Sequence, residues 1–338
     1  MNILAVESSC DETAVAIVRD GRTILTDRIA SQVDLHRIYG GVVPEIASRM
    51  HIEAIYGLAD QALQTANLKR DDVDAVAVTY APGLIGAVLV GVNFAKAAAL
   101  ALNKPLIPVH HIRGHIAANY LAYPELDPPF LCLVVSGGHT MIVHVKDYTQ
   151  MEILGTTLDD AAGECFDKVA RVLGMPYPGG AALDKAAQFG DEKKYILPRA
   201  KPGANPYDMS FSGLKTATLN LIHHAQQVGE EIDVPSLCAA FSAAVSDILI
   251  PRITMAIQQT GCYKLAVAGG VAANSRVRTD VLSTAKTLGV ETYLPPLALC
   301  GDNAAMIGSQ AYYEYQAGNL ADMRLNAYAT KSILGETI

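Results

Sequence analysis

Two stretches of the chain share one plan: a short apolar run, a turn of small polar residues, and a second apolar run able to return antiparallel. The first runs from Ile3 to Glu7, turns over Ser8 to Glu12, and returns from Ala14 to Val18. The second runs from Leu131 to Val135, turns over Ser136 to Thr140, and returns from Met141 to Val145. A hairpin repeated at that distance predicts two lobes, each opened by its own copy. The length of 338 residues agrees, because one hydrophobic core seldom serves so long a chain. Between the copies, YPELDPPF at 123–130 concentrates proline and acid and breaks any helix entering it. The expected division is therefore a first lobe over 1–127 and a second over 128–302, with a final helix from about 303–338 packing back onto the first.

Strands and helices then alternate as in an α/β protein. Ala75 to Thr79 and Leu106 to Val109 are β-rich runs flanking an Ala-rich helical stretch from Leu84 to Ala101. Leu265 to Ala268 and Glu291 to Leu294 flank a second helical stretch from Ser275 to Leu288. Residues 185–201 read as an insertion of mixed charge, for which a solvated surface is the plain explanation.

Composition narrows the class further. The six cysteines form no CxxC pair, so neither a disulfide framework nor a thiolate zinc site is indicated, and a reducing cytoplasm fits. The opening MNILAVESSC has no basic leader and reads as a buried strand, and the run Leu84 to Leu102 is interrupted by Asn93 and Lys96, so a soluble protein is expected. A formal charge of −8 repels polyanions, so nucleic acid would need a local basic patch or a basic partner.

Several segments suit a reactive site. The turn SGGHT at 136–140 offers successive backbone N–H groups, with Gly137 and Gly138 allowing close approach and Ser136 and His139 adding side-chain donors. A tight hairpin would explain it too. The twin turn SSCDET carries Asp11 and Glu12, either reactive carboxylates or ordinary turn acids. In VAGGVAANSRVR the pair Gly269 and Gly270 leaves room for a base or ribose, and Asn274 could reach an exocyclic group. HIRGH at 111–115 sets His111 and His115 one helical turn apart, a spacing for one shared metal, with Asp302 as candidate third ligand. Asp302 could equally cap the helix that follows. The zinc-protease pattern H-E-x-x-H needs Glu after the first His, and Ile112 stands there.

In order along the chain, ESSCDETAVAIV, GGVVPEIASRMH, NKPLIPVHHIRGHI, LVVSGGHT, GECFDKVAR, YPGG, SFSGLKT, VAGGVAANSRVR and CGDNAAM resemble the tRNA N6-adenosine threonylcarbamoyltransferase (TsaD) family, once described as a glycoprotease. The resemblance spans essentially the whole chain. It implies two ribonuclease-H-like lobes of the actin, sugar-kinase and heat-shock ATPase type, with nucleotide between them. It also implies one divalent metal, Fe2+ or Zn2+, on His111, His115 and Asp302. The adenylate half of threonylcarbamoyl-AMP would lie against Val134, Val135, Ser136, Gly137, Gly138 and His139, with Asp167, Gly180, Asp184 and Asn274.

The implied reaction attacks an acyl carbon and releases AMP, modifying the adenosine 3′ of the anticodon in tRNAs that read ANN codons. Asp11 or Glu12 would relay the amine proton. Implied partners are tRNA, a degenerate paralogue (TsaB-like) that pairs through the first lobe, and a small P-loop ATPase (TsaE-like). A kinase or ATPase of the same fold, and a nucleotide-binding scaffold without catalysis, are the rival readings.

Overall fold

The computed structural model describes residues 1–200 and 203–334. Ten strands are present among the described residues: β1 (Asn2–Glu7), β2 (Glu12–Arg19), β3 (Thr23–Ser31), β4 (Ala75–Ala81), β5 (Leu106–His110), β6 (Phe130–Val135), β7 (Thr140–Val145), β8 (Met151–Thr156), β9 (Lys264–Ala268) and β10 (Glu291–Tyr293). The helices among the described residues are α1 (Val33–Arg37), α2 (Pro44–Thr65), α3 (Ile85–Leu102), α4 (His111–Ala122), α5 (Ala162–Val172), α6 (Gly179–Ala187), α7 (Ser212–Val228), α8 (Val234–Thr260), α9 (Ser275–Leu288) and α10 (Ala304–Gln316).

Backbone contacts divide the chain into two units: 1–128 with 146–151 and 295–338, and 129–145 with 152–294. The first holds a sheet in the order β3-β2-β1-β4-β5, and the second a sheet in the order β10-β9-β6-β7-β8. In each, an antiparallel hairpin is extended by strands parallel to its first member: β1 pairs antiparallel with β2 and parallel with β4, and β6 pairs antiparallel with β7 and parallel with β9. The two sheets thus follow one order when each is read from its own hairpin, which is the ribonuclease-H-like plan. The expected strands, turns and crossover helices are all present.

In the first unit β1, β2, β4 and β5 are buried on both faces, unlike the edge strand β3, so their alternate residues serve two cores rather than one core and solvent. Leu4, Val6, Val15, Ile17, Val76 and Val78 form one core with residues of α2 and α3. Ile3, Ala5, Ala14, Ala16, Val18, Ala75 and Ala77 form the other, against Ala118 of α4 and Ala304 to Ile307 of α10. The second core is rich in alanine because α10 lies close on the sheet: a Cβ at Gly308 would meet Val18 Cγ2 at 2.7 Å and Ala5 Cβ at 3.2 Å. α4 and α10 also meet closely at Gly114, where a Cβ would lie 2.6 Å from Ile307 Cδ1. These two small-residue contacts bring the starts of α4 and α10 together.

Three sequence expectations change. The final helix is confined to Ala304–Gln316 within the described residues, followed by irregular chain to Leu334, and 335–338 lie outside the described residues. Residues 185–187 of the expected insertion continue α6, and the chain from 188 to 200 is irregular, tied down by Lys194–Asp233 and Arg199–Asp247 ion pairs of 2.8 Å each; Lys201 lies outside the described residues. The cap of α10 is Asn303, whose Oδ1 accepts the Met306 N–H at 2.8 Å, and not Asp302. α3 and α8 are long and apolar enough to cross a membrane by length and composition, and most of the α8 window is buried within the fold.

Candidate metal centre and anion-binding turn

In the first unit, β5 runs directly into α4, and the His110 ring accepts the Ile112 N–H, starting the helix at His111. One turn later His115 faces the same way, and the two imidazoles stand with centroids 4.6 Å apart. Because Asn303 takes the capping role, the Asp302 carboxylate is left beside both rings: its Oδ1 lies 3.5 Å from His111 Nε2 and 3.2 Å from His115 Nε2. One donor atom from each of the three residues lies within 4.8 Å of the others, a set that could hold a metal ion. Both ring nitrogens of His115 are buried without a hydrogen-bond partner among the described residues, although Asp302 is so near. An imidazole nitrogen shut away from water without a partner is costly, and a cation shared with Asp302 would remove that cost.

His111 is held from behind by Glu7, the last residue of β1. Glu7 is completely buried, yet its carboxylate accepts from His111 Nδ1 at 2.9 Å, Thr79 Oγ1 at 2.6 Å and the Ser9 N–H at 2.5 Å. With Nδ1 donating to Glu7, His111 Nε2 is turned toward Asp302, the carboxylate–histidine arrangement common behind metal ligands. Burial pushes the His111 pKa down, but Glu7 and Asp302 outweigh it and lift it to about 9. The two flanking carboxylates thus favour positive charge at this position, from a proton or from a bound cation. Burial raises Glu7, and the charge and hydrogen bond of His111 reverse this to a net lowering. Glu7, Ser9 and Thr79 were not anticipated from the sequence. The available signal was a carboxylate ending an otherwise apolar strand, NILAVE, which could not be buried without partners.

The expected reactive acids flank the same place. Asp11 is 7% exposed, and Glu12 opens β2, where its Oε1 accepts from Ser31 Oγ at 2.8 Å. Burial raises the Glu12 pKa to about 7; Ser31 opposes the shift, and the charges of Asp11 and Asp302 add to it. The metalloprotease alternative fails on geometry as well as on sequence, because Ile112 is fully buried where a general base would be needed.

In the second unit, the β6–β7 turn closes through Ser136 N–H to His139 O at 2.8 Å and His139 N–H to Ser136 Oγ at 3.1 Å. A Cβ at Gly137 or Gly138 would meet nothing within 4 Å, so both glycines border open space. The rear of the turn is packed: a Cβ at Gly163 would lie 2.5 Å from Ser136 O, and one at Gly269, whose φ is +92°, 2.5 Å from Val135 O. The turn, the start of α5 and the glycine pair after β9 therefore converge. Val134 and Val135, expected as part of a binding loop, are fully buried in β6 and offer backbone only.

The remaining expected ligand residues form a connected run. Asp167 Oδ1 accepts the Gly180 N–H at 3.0 Å, tying α5 to the start of α6. Asp184 Oδ1 accepts from Ser275 N and Oγ at 3.0 and 2.7 Å, tying α6 to α9. Asn274 caps α9 by accepting the Val277 N–H at 3.1 Å, while its buried Nδ2 has no partner among the described residues. Asp184 and Ser275 line a cavity of about 500 Å³ together with Glu192, Ser242, Arg276 and Asp280.

A sequence profile described as TsaD, tRNA N6-adenosine threonylcarbamoyltransferase, matches residues 23–309. A protein of Moorella thermoacetica named tRNA N6-adenosine threonylcarbamoyltransferase is 54% identical over 326 residues, covering 96% of this chain and 95% of its own. One of that name from Clostridium botulinum strain 657 is 52% identical over 327 residues, covering 97% and 96%. Among solved structures, full-length HypF in a phosphate- and nucleotide-bound form aligns with a TM-score of 0.63 at 15% identity, over 98% of this chain and 47% of that one. Component A of the Acidaminococcus fermentans (R)-2-hydroxyglutaryl-CoA dehydratase aligns with a TM-score of 0.54 at 16% identity, over 94% and 98%. At such identities these two likenesses concern the fold alone, which is that of the actin-like ATPase group. On the profile match and the full-length relatives, the chain belongs to the tRNA N6-adenosine threonylcarbamoyltransferase family.

Proposed function

We propose that the chain transfers the threonylcarbamoyl group of threonylcarbamoyl-AMP to N6 of the adenosine 3′ of the anticodon in tRNAs reading ANN codons, releasing AMP. The observation that carries this reading is the three-residue donor set of His111, His115 and Asp302, with the partnerless nitrogens of His115 buried inside it. Fe2+ or Zn2+ suits imidazole and carboxylate donors, and when bound it would supply Lewis acidity toward the threonylcarbamoyl oxygens.

The chemistry explains the rest of the assignment. Adenine N6 is a weak nucleophile because its lone pair is delocalised into the ring, so the acyl donor must be a reactive mixed anhydride. N6 attacks the carbamoyl carbon, the bond from that carbon to the phosphate oxygen breaks, and AMP departs with the electron pair. The backbone N–H groups of Gly137 and Gly138, which the bonds closing the turn leave unused, are suited to hold the phosphate as its charge grows. Asp167, Gly180, Asp184 and Asn274 would hold the nucleoside, with the Asn274 Nδ2 as an available donor. Asp11 or Glu12 would take the N6 proton; a Glu12 pKa of about 7 suits an acceptor working near neutrality.

The reaction would take place in the cytoplasm. By the family resemblance it would draw on a TsaB-like paralogue and a TsaE-like ATPase; separately, a net charge of −8 means tRNA must meet a local basic patch or a basic partner. The test is to mix the purified protein with both partners, threonylcarbamoyl-AMP and unmodified tRNA, and to quantify the modified nucleoside and AMP. Formation by the wild type and loss in His111→Ala supports the assignment; unchanged formation in that variant overturns the metal-dependent reading.

A further inference from the structure

The turn that carries Asp11 and Glu12 is gripped by a histidine from another element. His51, in α2, is completely buried. Its Nδ1 lies 2.6 Å from Thr13 Oγ1, and its Nε2 lies 2.9 Å from the Cys10 carbonyl oxygen. Cys10 and Thr13 are the residues on either side of the two acids. We propose that His51 is a positioning residue for the transfer reaction, one ring clamping both ends of the Asp11–Glu12 pair. The proposal rests on the reading that these acids serve the proton transfer.

The hydrogen-bond roles follow from the partners. A carbonyl oxygen can only accept, so Nε2 carries the proton and donates to Cys10, and the Nδ1 lone pair accepts the Thr13 hydroxyl. One neutral tautomer satisfies both contacts; a protonated ring would face Thr13 with a donor and force that hydroxyl to turn. Burial holds the His51 pKa below its ordinary value, in keeping with the neutral ring.

The clamp is braced in turn. The Gln32 N–H donates to the Asp11 carbonyl at 3.0 Å, Gln32 Oε1 lies 3.1 Å from His36 Nε2, and the Val43 N–H donates to His36 Nδ1 at 3.3 Å. Gln32 and His36 are themselves buried. The acid-bearing turn is therefore seated on a connected set of side chains reaching the start of α2, whereas a turn resting on its own backbone bonds could shift. Reaction geometry is sensitive to such shifts, a misplacement of about 1 Å costing on the order of 10²-fold in rate.

The test measures kcat and both KM values for His51→Phe, His51→Gln and Thr13→Val in the complete system of protein, partners, threonylcarbamoyl-AMP and tRNA, alongside Asp11→Asn and Glu12→Gln. Metal bound per chain and melting temperature are read on each. Phe keeps the ring but offers neither hydrogen bond, and kcat is expected to fall about 10²-fold while each KM stays within about threefold and metal content is unchanged. Gln retains a donor and an acceptor and is expected to recover about tenfold of that loss. Thr13→Val removes one contact without changing size, and it carries the test if His51→Phe does not fold.

A kcat within about twofold of wild type for both His51→Phe and Thr13→Val, with Asp11→Asn or Glu12→Gln impaired, overturns the clamp and leaves the acids their role. Loss of activity only in proportion to lost metal or lost folded protein also overturns it, since His51 would then merely support the fold. If neither acid variant is impaired, the underlying proton-transfer reading fails, and the clamp fails with it.

Discussion

The turn after β1 and the turn after β6 occupy the same place in the same strand order, yet their chemistry is opposite. The first carries Cys10, Asp11 and Glu12 and stands beside two imidazoles and a further carboxylate. The second carries Gly137 and Gly138, which border open space where a side chain would stand. One is suited to a cation and protons, the other to an anion. Duplicating the sheet supplied two equivalent positions at the ends of central strands, and only the residues at those positions decided what each can hold.

The difference is most easily broken at the cation side. Asp302→Ala removes one of three donors without disturbing the Asn303 cap, and is expected to lower metal affinity and transfer rate by 10²-fold or more, with little change in melting temperature. Metal titration and nucleoside analysis would check this. Glu7→Gln acts one shell out: it keeps the side chain's shape but weakens the grip on His111. A 10–100-fold loss of metal affinity is expected.

On the anion side, the contrast between front and rear of the turn can be tested by two identical substitutions. Gly163→Ala drives a Cβ into the backbone of Ser136 and should destabilise the protein by about 1–3 kcal/mol in urea unfolding. Gly137→Ala meets no atom and should leave stability unchanged, but should weaken AMP or donor binding by intruding on the space in front of the N–H groups. Equal effects from the two would show that the turn is simply a hairpin.

Smaller effects come from pH and from helix ends. Glu12 has a folded pKa of about 7, raised by burial above the unfolded value near 4.5. The stability it contributes is present in full below the unfolded pKa and is lost as pH rises through about 7. In metal-stripped protein, the melting temperature of Glu12→Gln relative to wild type should therefore climb between pH 5 and pH 8; a constant difference would deny the raised pKa. The helices α3 and α9 connect equivalent strands, and each is followed by a left-handed residue, Asn103 at φ 50° and Gly289 at φ 68°. Asn103→Gly should stabilise by a few tenths of a kcal/mol, up to about 1, measurable by calorimetry.

Much of this was legible in the chain. The repeated hairpin, the crossover helices and the i, i+4 histidines are local patterns, and periodicity with backbone geometry dictates them within a dozen residues. What stayed hidden is long-range. That Asp302 meets residues nearly two hundred positions earlier goes with close glycine contacts between α10, α4 and the sheet. The same holds for His51 gripping Cys10 and Thr13. Sequence alone determined the elements and nominated the reactive residues, because hydrogen bonding and burial impose their rhythm locally. Tertiary structure alone decided which of those residues meet and which side chains hold them, because burying a charge or an imidazole requires partners that distant segments must supply.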